Sequence, residues 1–162
     1  MPERLIVADA SPLIGLAKIG RLSLLRRLAE EVWIPRAVWR ELIEGGSDRP
    51  EVKELSMLLT GSVRESEPTM VGRFAMLVDA GEAEAVALAA VNPGCLLLID
   101  DAAGRRLAES QGIRCMGVAG LLLRAKRSGL LTALATDLKA LREKGYFLSE
   151  HLIAQLLAAA NE

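Results

Sequence analysis

The chain has 162 residues, of which 51% are hydrophobic and 25% charged, with a formal net charge of -1. That length suits a single domain with a sizeable core, and the near-neutral balance excludes a global basic field, so any site for a polyanion is a local patch. No apolar run approaches the ~18 residues of a membrane span, and the start "MPERLIVADA" lacks the basic, apolar and small-residue parts of an export signal, which sets a soluble, cytoplasmic expectation.

Leu5 to Ala8 form a short apolar run that reads as a buried strand ending at Asp9, with Ser11 as N-cap and Pro12 as first residue of the helix that follows. Leu13, Leu16 and Ala17 share one face of that helix, and Gly20 closes it. A second helix is predicted from about Leu22 to Ala29, then a strand in "EVWIP". The helix "RAVWRELIEGG" has Ala37, Val38, Glu41 and Leu42 at helical spacing and stops at Gly45 or Gly46. Arg49 to Leu59 reads as a helix and "GSVRESEP" as a weak strand or loop.

"GEAEAVALAA" is a strong Ala-rich helix, and "CLLLID" is a second buried strand that ends in acid, at Asp100 and Asp101. The helix "AAGRRLAESQG" and the strand "IRCMGV" complete an alternation that predicts a mostly parallel sheet with helices on both faces. From residue 120 to 162 three helical stretches follow, separated by Gly129 and Gly145, and are expected to pack on the same domain, 1–162.

Cys95 and Cys115 have no metal-ligand spacing and read as buried thiols, and the single histidine, His151, leaves no basis for a histidine-rich zinc site. No glycine-rich nucleotide loop is present, which disfavours a Rossmann-type enzyme. What remains is acid: Asp9 and Asp101 at strand ends with Asp100 beside the latter, Glu41 on an apolar helix face, and Glu84 in the Ala-rich helix. Each has a plain structural explanation, as a turn former, an ion-pair partner or, for Glu82 or Glu84, a favourable charge at a helix N-terminus. Jointly they point elsewhere, because the carboxyl ends of adjacent parallel strands converge on one crevice. Convergent carboxylates are tolerated when a hard divalent cation such as Mg²⁺ or Mn²⁺ takes the charge, and the matching chemistry is phosphodiester hydrolysis.

"IVADASPLIGLAKIGRLSLL", "VWIPRAVWREL", "GEAEAVALAA" and "LLLIDDAAGRRLA" together resemble the PIN domain superfamily, particularly its VapC-like members. The C-terminal "LLLRAKRSGLL" and "LKALREKGYFLSEHL" look like a branch of small PIN-like proteins long labelled a domain of unknown function. The resemblance implies a three-layer α/β/α fold with extra C-terminal helices and a metal-dependent endoribonuclease, commonly the toxin of a toxin-antitoxin pair. It also implies a homodimer and a protein antitoxin that covers the crevice. Carried over by residue, Asp9, Glu41, Glu84 and Asp101 are the catalytic, metal-holding acids, with Ser11 and Asp100 in support.

Two departures stand out: Glu84 replaces an aspartate, and Ile99-Asp100-Asp101 replaces Thr-x-Asp, leaving Asp100 as a competitor of Asp101. Lys18, Arg21, Arg36, Arg40, Arg105 and Arg106 are the candidate phosphate contacts. Leucines after Gly20 and around Leu58 exceed what one covered face needs, a second reason to expect a dimer. The alternative reading is a catalytically silent module that uses the acidic pocket for a protein or nucleic-acid partner.

Overall fold

A computed structural model describes residues 2–46 and 48–162. The chain runs β1 (Glu3–Ala8), α1 (Ala10–Lys18), α2 (Leu24–Leu28), β2 (Ala29–Pro35) and α3 (Arg36–Trp39), which continues as a wider π turn over Arg40–Glu44. Then come α4 (Val52–Leu59), β3 (Val63–Arg64), α5 (Pro68–Phe74), α6 (Ala80–Ala90), β4 (Leu96–Leu98), α7 (Ala102–Ser110) and β5 (Arg114–Met116). Three helices close the chain: α8 (Val118–Arg127), α9 (Leu134–Glu143) and α10 (Glu150–Ala159).

The sheet has the order β3-β2-β1-β4-β5, and every pairing is parallel. The strand order reverses at β1: the chain first builds outward through β2 and β3, then returns to add β4 and β5 on the other side. In such sheets the carboxyl ends of the strands flanking the reversal open a crevice. The central strand β1 and its neighbour β4 deliver Asp9 and Asp101 to that edge.

Alternation along the strands makes the three layers. Ile6 and Ala8 of β1, with Leu96 and Leu98 of β4, face a cluster that includes Leu13, Leu25, Leu55, Leu122 and Leu138. Leu5, Val7, Leu97 and Ile99 face the opposite way, onto Phe74 and the alanines of α6. Because both faces are covered at the centre of the sheet, β1 is apolar from Leu5 to Ala8 and β4 from Leu96 to Leu98, and the truncation Leu97→Ala, at a fully buried position, costs about 2–5 kcal/mol. The C-terminal leucines Leu134, Leu138, Leu141, Leu148 and Leu156 join the same buried cluster as Ile6.

Several local expectations change. The first helix begins at Ala10, with Asp9 rather than Ser11 as the flanking residue and Pro12 inside the first turn. Strand pairing ends at Asp9, whose N–H donates to the Leu98 carbonyl at 2.9 Å, and the helix follows at the next residue. Residues before Leu24 do not join α2, and Ala29 already belongs to β2. The leucines taken as surplus are core: Leu24, Leu25, Leu28, Leu55 and Leu59 are buried and Leu58 packs against them, so that argument for an interface falls away. No helix among the described residues is long and apolar enough to cross a membrane.

Candidate functional site

Asp9 sits where β1 hands over to α1, with its residue only 6% exposed. Burial pushes its carboxyl from the ordinary 3.8 up to about 6; the Ala10 backbone N–H opposes the shift, and the negative charges of Asp79, Glu41 and Asp101 add to it. Three acids from three other parts of the chain therefore face this one side chain.

Asp101 caps the N-terminus of α7 and accepts the Gly104 N–H at 2.8 Å. That bond is possible because the chain turns directly from β4 into the helix. Gly104 must stay bare, since a Cβ there would lie 2.6 Å from the Ile99 side chain. Glu41 lies in the π turn that extends α3, where the Gly45 N–H reaches back to the Arg40 carbonyl at 2.7 Å. The glycine pair lets this widened turn close: a Cβ on Gly46 would stand 2.6 Å from the Leu42 carbonyl. The turn buries Leu42 completely while Glu41 remains exposed on the crevice side. Extra residues of this kind in helices are frequent at functional sites.

The Ala-rich helix contributes through its first turn. Asp79 accepts the Glu82 N–H at 2.9 Å and the Glu82 carboxylate reaches back toward the Asp79 N–H at 3.4 Å, a reciprocal cap. Burial lifts the Glu82 carboxyl from 4.5 to about 7, aided by the charges of Asp79, Asp101 and Asp9. Gly81 marks the meeting point: a Cβ placed on it would be 3.7 Å from oxygens of Asp79, Asp9 and Glu41 alike. Those three oxygens are thus no further apart than twice that distance.

Glu84, the acid that the sequence puts forward on this helix, has another partner. Its Oε1 accepts the Ala37 N–H at 3.2 Å, which braces the start of α3 and so the element that carries Glu41. Helical geometry puts residues two apart on nearly opposite sides, so Glu82 and Glu84 face different ways. Asp79 and Glu82, which the sequence does not single out for the crevice, also lie beside Asp9, and the Asp-x-x-Glu spacing before an apolar helix is a readable capping signal.

Asp100 and Asp101 separate as cleanly. Asp100 Oδ1 accepts the Val118 N–H at 3.0 Å at the head of α8, away from Asp9, while its Oδ2 is buried with no partner among the described residues. Burial raises the Asp100 carboxyl, with Val118 and the Arg105 charge opposing. The Ser11 carbonyl accepts the Tyr146 hydroxyl at 2.6 Å.

Among the basic candidates, Arg36, Arg40, Arg105 and Arg106 lie on elements that begin at the crevice edge, though Arg36 is held by Glu65. Lys18 ends α1, about 13 Å of helix from its start. Arg21 follows it and is tied to Asp137 at 2.9 Å. The structure does not bring those two to the acids.

Among the described residues no three acids, cysteines or histidines form a ready-made metal-binding group. The arrangement is an open acidic crevice. Its donor set nonetheless suits a hard divalent cation: carboxylate oxygens only, one of them, on Asp9, buried with its carboxyl pushed up to about 6 chiefly by that burial.

Comparison with known proteins comes to one finding: the family model DUF3368, described as a PIN domain, matches residues 5–162. No curated protein matches the chain.

Proposed function

Because the chain belongs to the PIN-domain family, whose members are generally metal-dependent nucleases, we propose that it is an Mg²⁺- or Mn²⁺-dependent endoribonuclease. The observation that carries this reading is the buried Asp9 carboxylate, surrounded by Glu41, Asp79 and Asp101 where the strand order reverses. Like charges gathered there without a counter-charge destabilise the fold, and function is the reason to keep them.

Asp9, Glu41, Glu82 and Asp101 are the residues that would hold the cation. Bound there, a divalent cation supplies charge neutralisation at the attacked phosphate and lowers the pKa of water. The rest falls to the protein. Strand pairing fixes the backbone of Asp9, and the Gly104 N–H fixes the Asp101 carboxylate, before substrate arrives. Glu84 braces the helix of Glu41, and Arg40 and Arg106, both exposed, neutralise phosphates on either side.

Within this reading the protein acts in the cytoplasm as the toxin of a toxin-antitoxin pair, as a homodimer and under a cognate protein antitoxin. Support for a protein partner comes from Met76 and Leu77, 85% and 69% exposed, in the loop that leads to Asp79. A basic side chain from such a partner would neutralise the crevice. The test is cleavage of defined RNAs with and without Mn²⁺, with Asp9→Asn as control. Cation-dependent cleavage lost in the variant supports the reading; cleavage by both proteins alike refutes it.

A further inference from the structure

Next to the acids, beyond Asp100, lies a cavity of about 500 Å³ that the chemistry so far leaves unused. Its walls come from the head of α8, Met116 at the end of β5, the loop carrying Tyr146 and Phe147, and Leu152 and Leu156 of α10. Volume and a mostly apolar lining with a few polar groups are those of a small-ligand site.

Two side chains narrow the occupant. Phe147 is 91% exposed at the rim, yet its loop is not loose. The preceding Tyr146 donates to the Ser11 carbonyl at 2.6 Å, and its ring packs on Gly15, where a Cβ would come within 2.9 Å. Arg105 lines the cavity, its charge acts on Asp100, and among the described residues it makes no ion pair at contact distance. Asp100 lines it too: its Oδ1 accepts the Val118 N–H, and its Oδ2, shielded from solvent, has no partner among the described residues. Gly117 permits this approach, since a Cβ there would fall 2.5 Å from Asp100 Oδ1. The occupant that suits the exposed Phe147 ring and the Arg105 guanidinium is flat and apolar on its faces and carries a negative charge.

We propose that this cavity holds one nucleotide of single-stranded RNA, the base stacked on Phe147 and an adjoining phosphate on Arg105. The proposal rests on the ribonuclease reading and deepens it by defining where the strand continues from the cleavage site. The placement agrees with the sheet: β5 lies two strands from β1, about 10 Å from Asp9 along the carboxyl edge. Single-strand binders combine an aromatic platform with a cationic groove in this way.

The experiment is equilibrium binding of a labelled single-stranded RNA pentamer to the full chain in chelator, where cleavage does not intervene. Parallel pentamers carry one abasic residue at each position in turn. Phe147→Ala, at an exposed position that does not threaten folding, weakens the intact pentamer about tenfold. One abasic position weakens the unaltered protein by the same factor and leaves Phe147→Ala unaffected, while Phe147→Trp restores the affinity. Arg105→Gln lowers affinity for every pentamer and reduces its salt dependence.

An abasic penalty equal in both proteins overturns the subsite. So does a Phe147→Ala protein that cleaves and binds RNA as well as the parent, and that result leaves the ribonuclease reading intact. A parent that neither binds nor cleaves single-stranded RNA overturns both. A Phe147→Ala chain that loses self-association at unchanged RNA affinity assigns the cavity to a contact between copies, and the nucleotide proposal falls.

Discussion

The two ends of β1 each present a carboxylate, and they behave in opposite ways. At the amino end, Glu3 receives Arg114 at 2.8 Å and Arg124 at 2.6 Å, and these guanidinium groups hold its carboxyl down at about 2. At the carboxyl end, Asp9 meets burial and three other acids and is pushed up to about 6. One end clamps β1 to β5 and α8, and the other stores repulsion. Five residues of strand, Arg4 to Ala8, separate an acid used for stability from an acid kept in spite of stability. The difference lies in burial and partners, since the side-chain chemistry is shared.

Asp9→Asn breaks the comparison most severely. Removing one ligand of the proposed cation site lowers RNA cleavage by roughly 10²-fold or more, a loss within the range of removing one preorganised catalytic contact. The same variant melts higher than the parent at pH 7 in chelator, since it removes a penalty of roughly 3 kcal/mol. It also gains less from Mn²⁺, which would stabilise the parent by about 2.7 kcal/mol at a hundred times its dissociation constant. Thermal melts of both proteins, with chelator and with excess Mn²⁺, read all of this. A variant that melts lower and responds to Mn²⁺ as the parent does would return Asp9 to the role of a turn residue.

The second test sharpens the membership of the acidic end. Glu82→Gln should lower cleavage about tenfold or more, whereas Glu84→Gln keeps an oxygen for the Ala37 N–H and should lose less than about threefold. Parallel initial rates on one RNA decide it, and a reversed order assigns the third acid to Glu84.

The third is the pH profile. Folding raises Asp9 from 3.8 to about 6 and Glu82 from 4.5 to about 7, so the folded chain holds more protons between those values. Stability from this edge falls as pH rises from about 4 to 7 and returns on acidification. Glu3 acts oppositely: lowered from 4.5 to about 2, it adds stability that is present above 4.5 and disappears as pH falls toward 2. Chemical denaturation in chelator across pH 4 to 7.5 should show the decline, and Asp9→Asn should flatten it.

The smallest effect belongs to the amino end. Glu3→Gln gives up charge-assisted bonds to Arg114 and Arg124, costs about 1–3 kcal/mol and leaves RNA cleavage unchanged. Equal losses of stability and cleavage would mean that the two ends of β1 are not independent.

Much of this was legible before any coordinates. The apolar runs at Leu5 and Leu96, each closing on an acid, announce parallel strands and locate Asp9 and Asp101, because a buried strand needs apolar residues on both faces. Glu41 shows through helical spacing, although the π turn that carries it does not, since a single extra residue leaves the apolar pattern nearly unchanged. Glu84 and Glu82 share one short motif, and only the helix start distinguishes them: a beginning at Ala80, set by the Asp79 cap, aims Glu82 at Asp9 and Glu84 at Ala37.

By itself the sequence determined the α/β alternation, the all-round burial of β1 and β4 and the residue types able to meet at their ends, because periodicity and composition are local properties. Tertiary structure decided which acids meet. The strand order sets β4 beside β1 and so brings Asp101 to Asp9, and the packing of α6 against the sheet adds Asp79 and Glu82. It also decided that Lys18 and Arg21 lie away from the acids and that Asp100 turns to α8. Repulsion, burial and pKa depend on distances between residues far apart in the chain, and folding alone creates those distances.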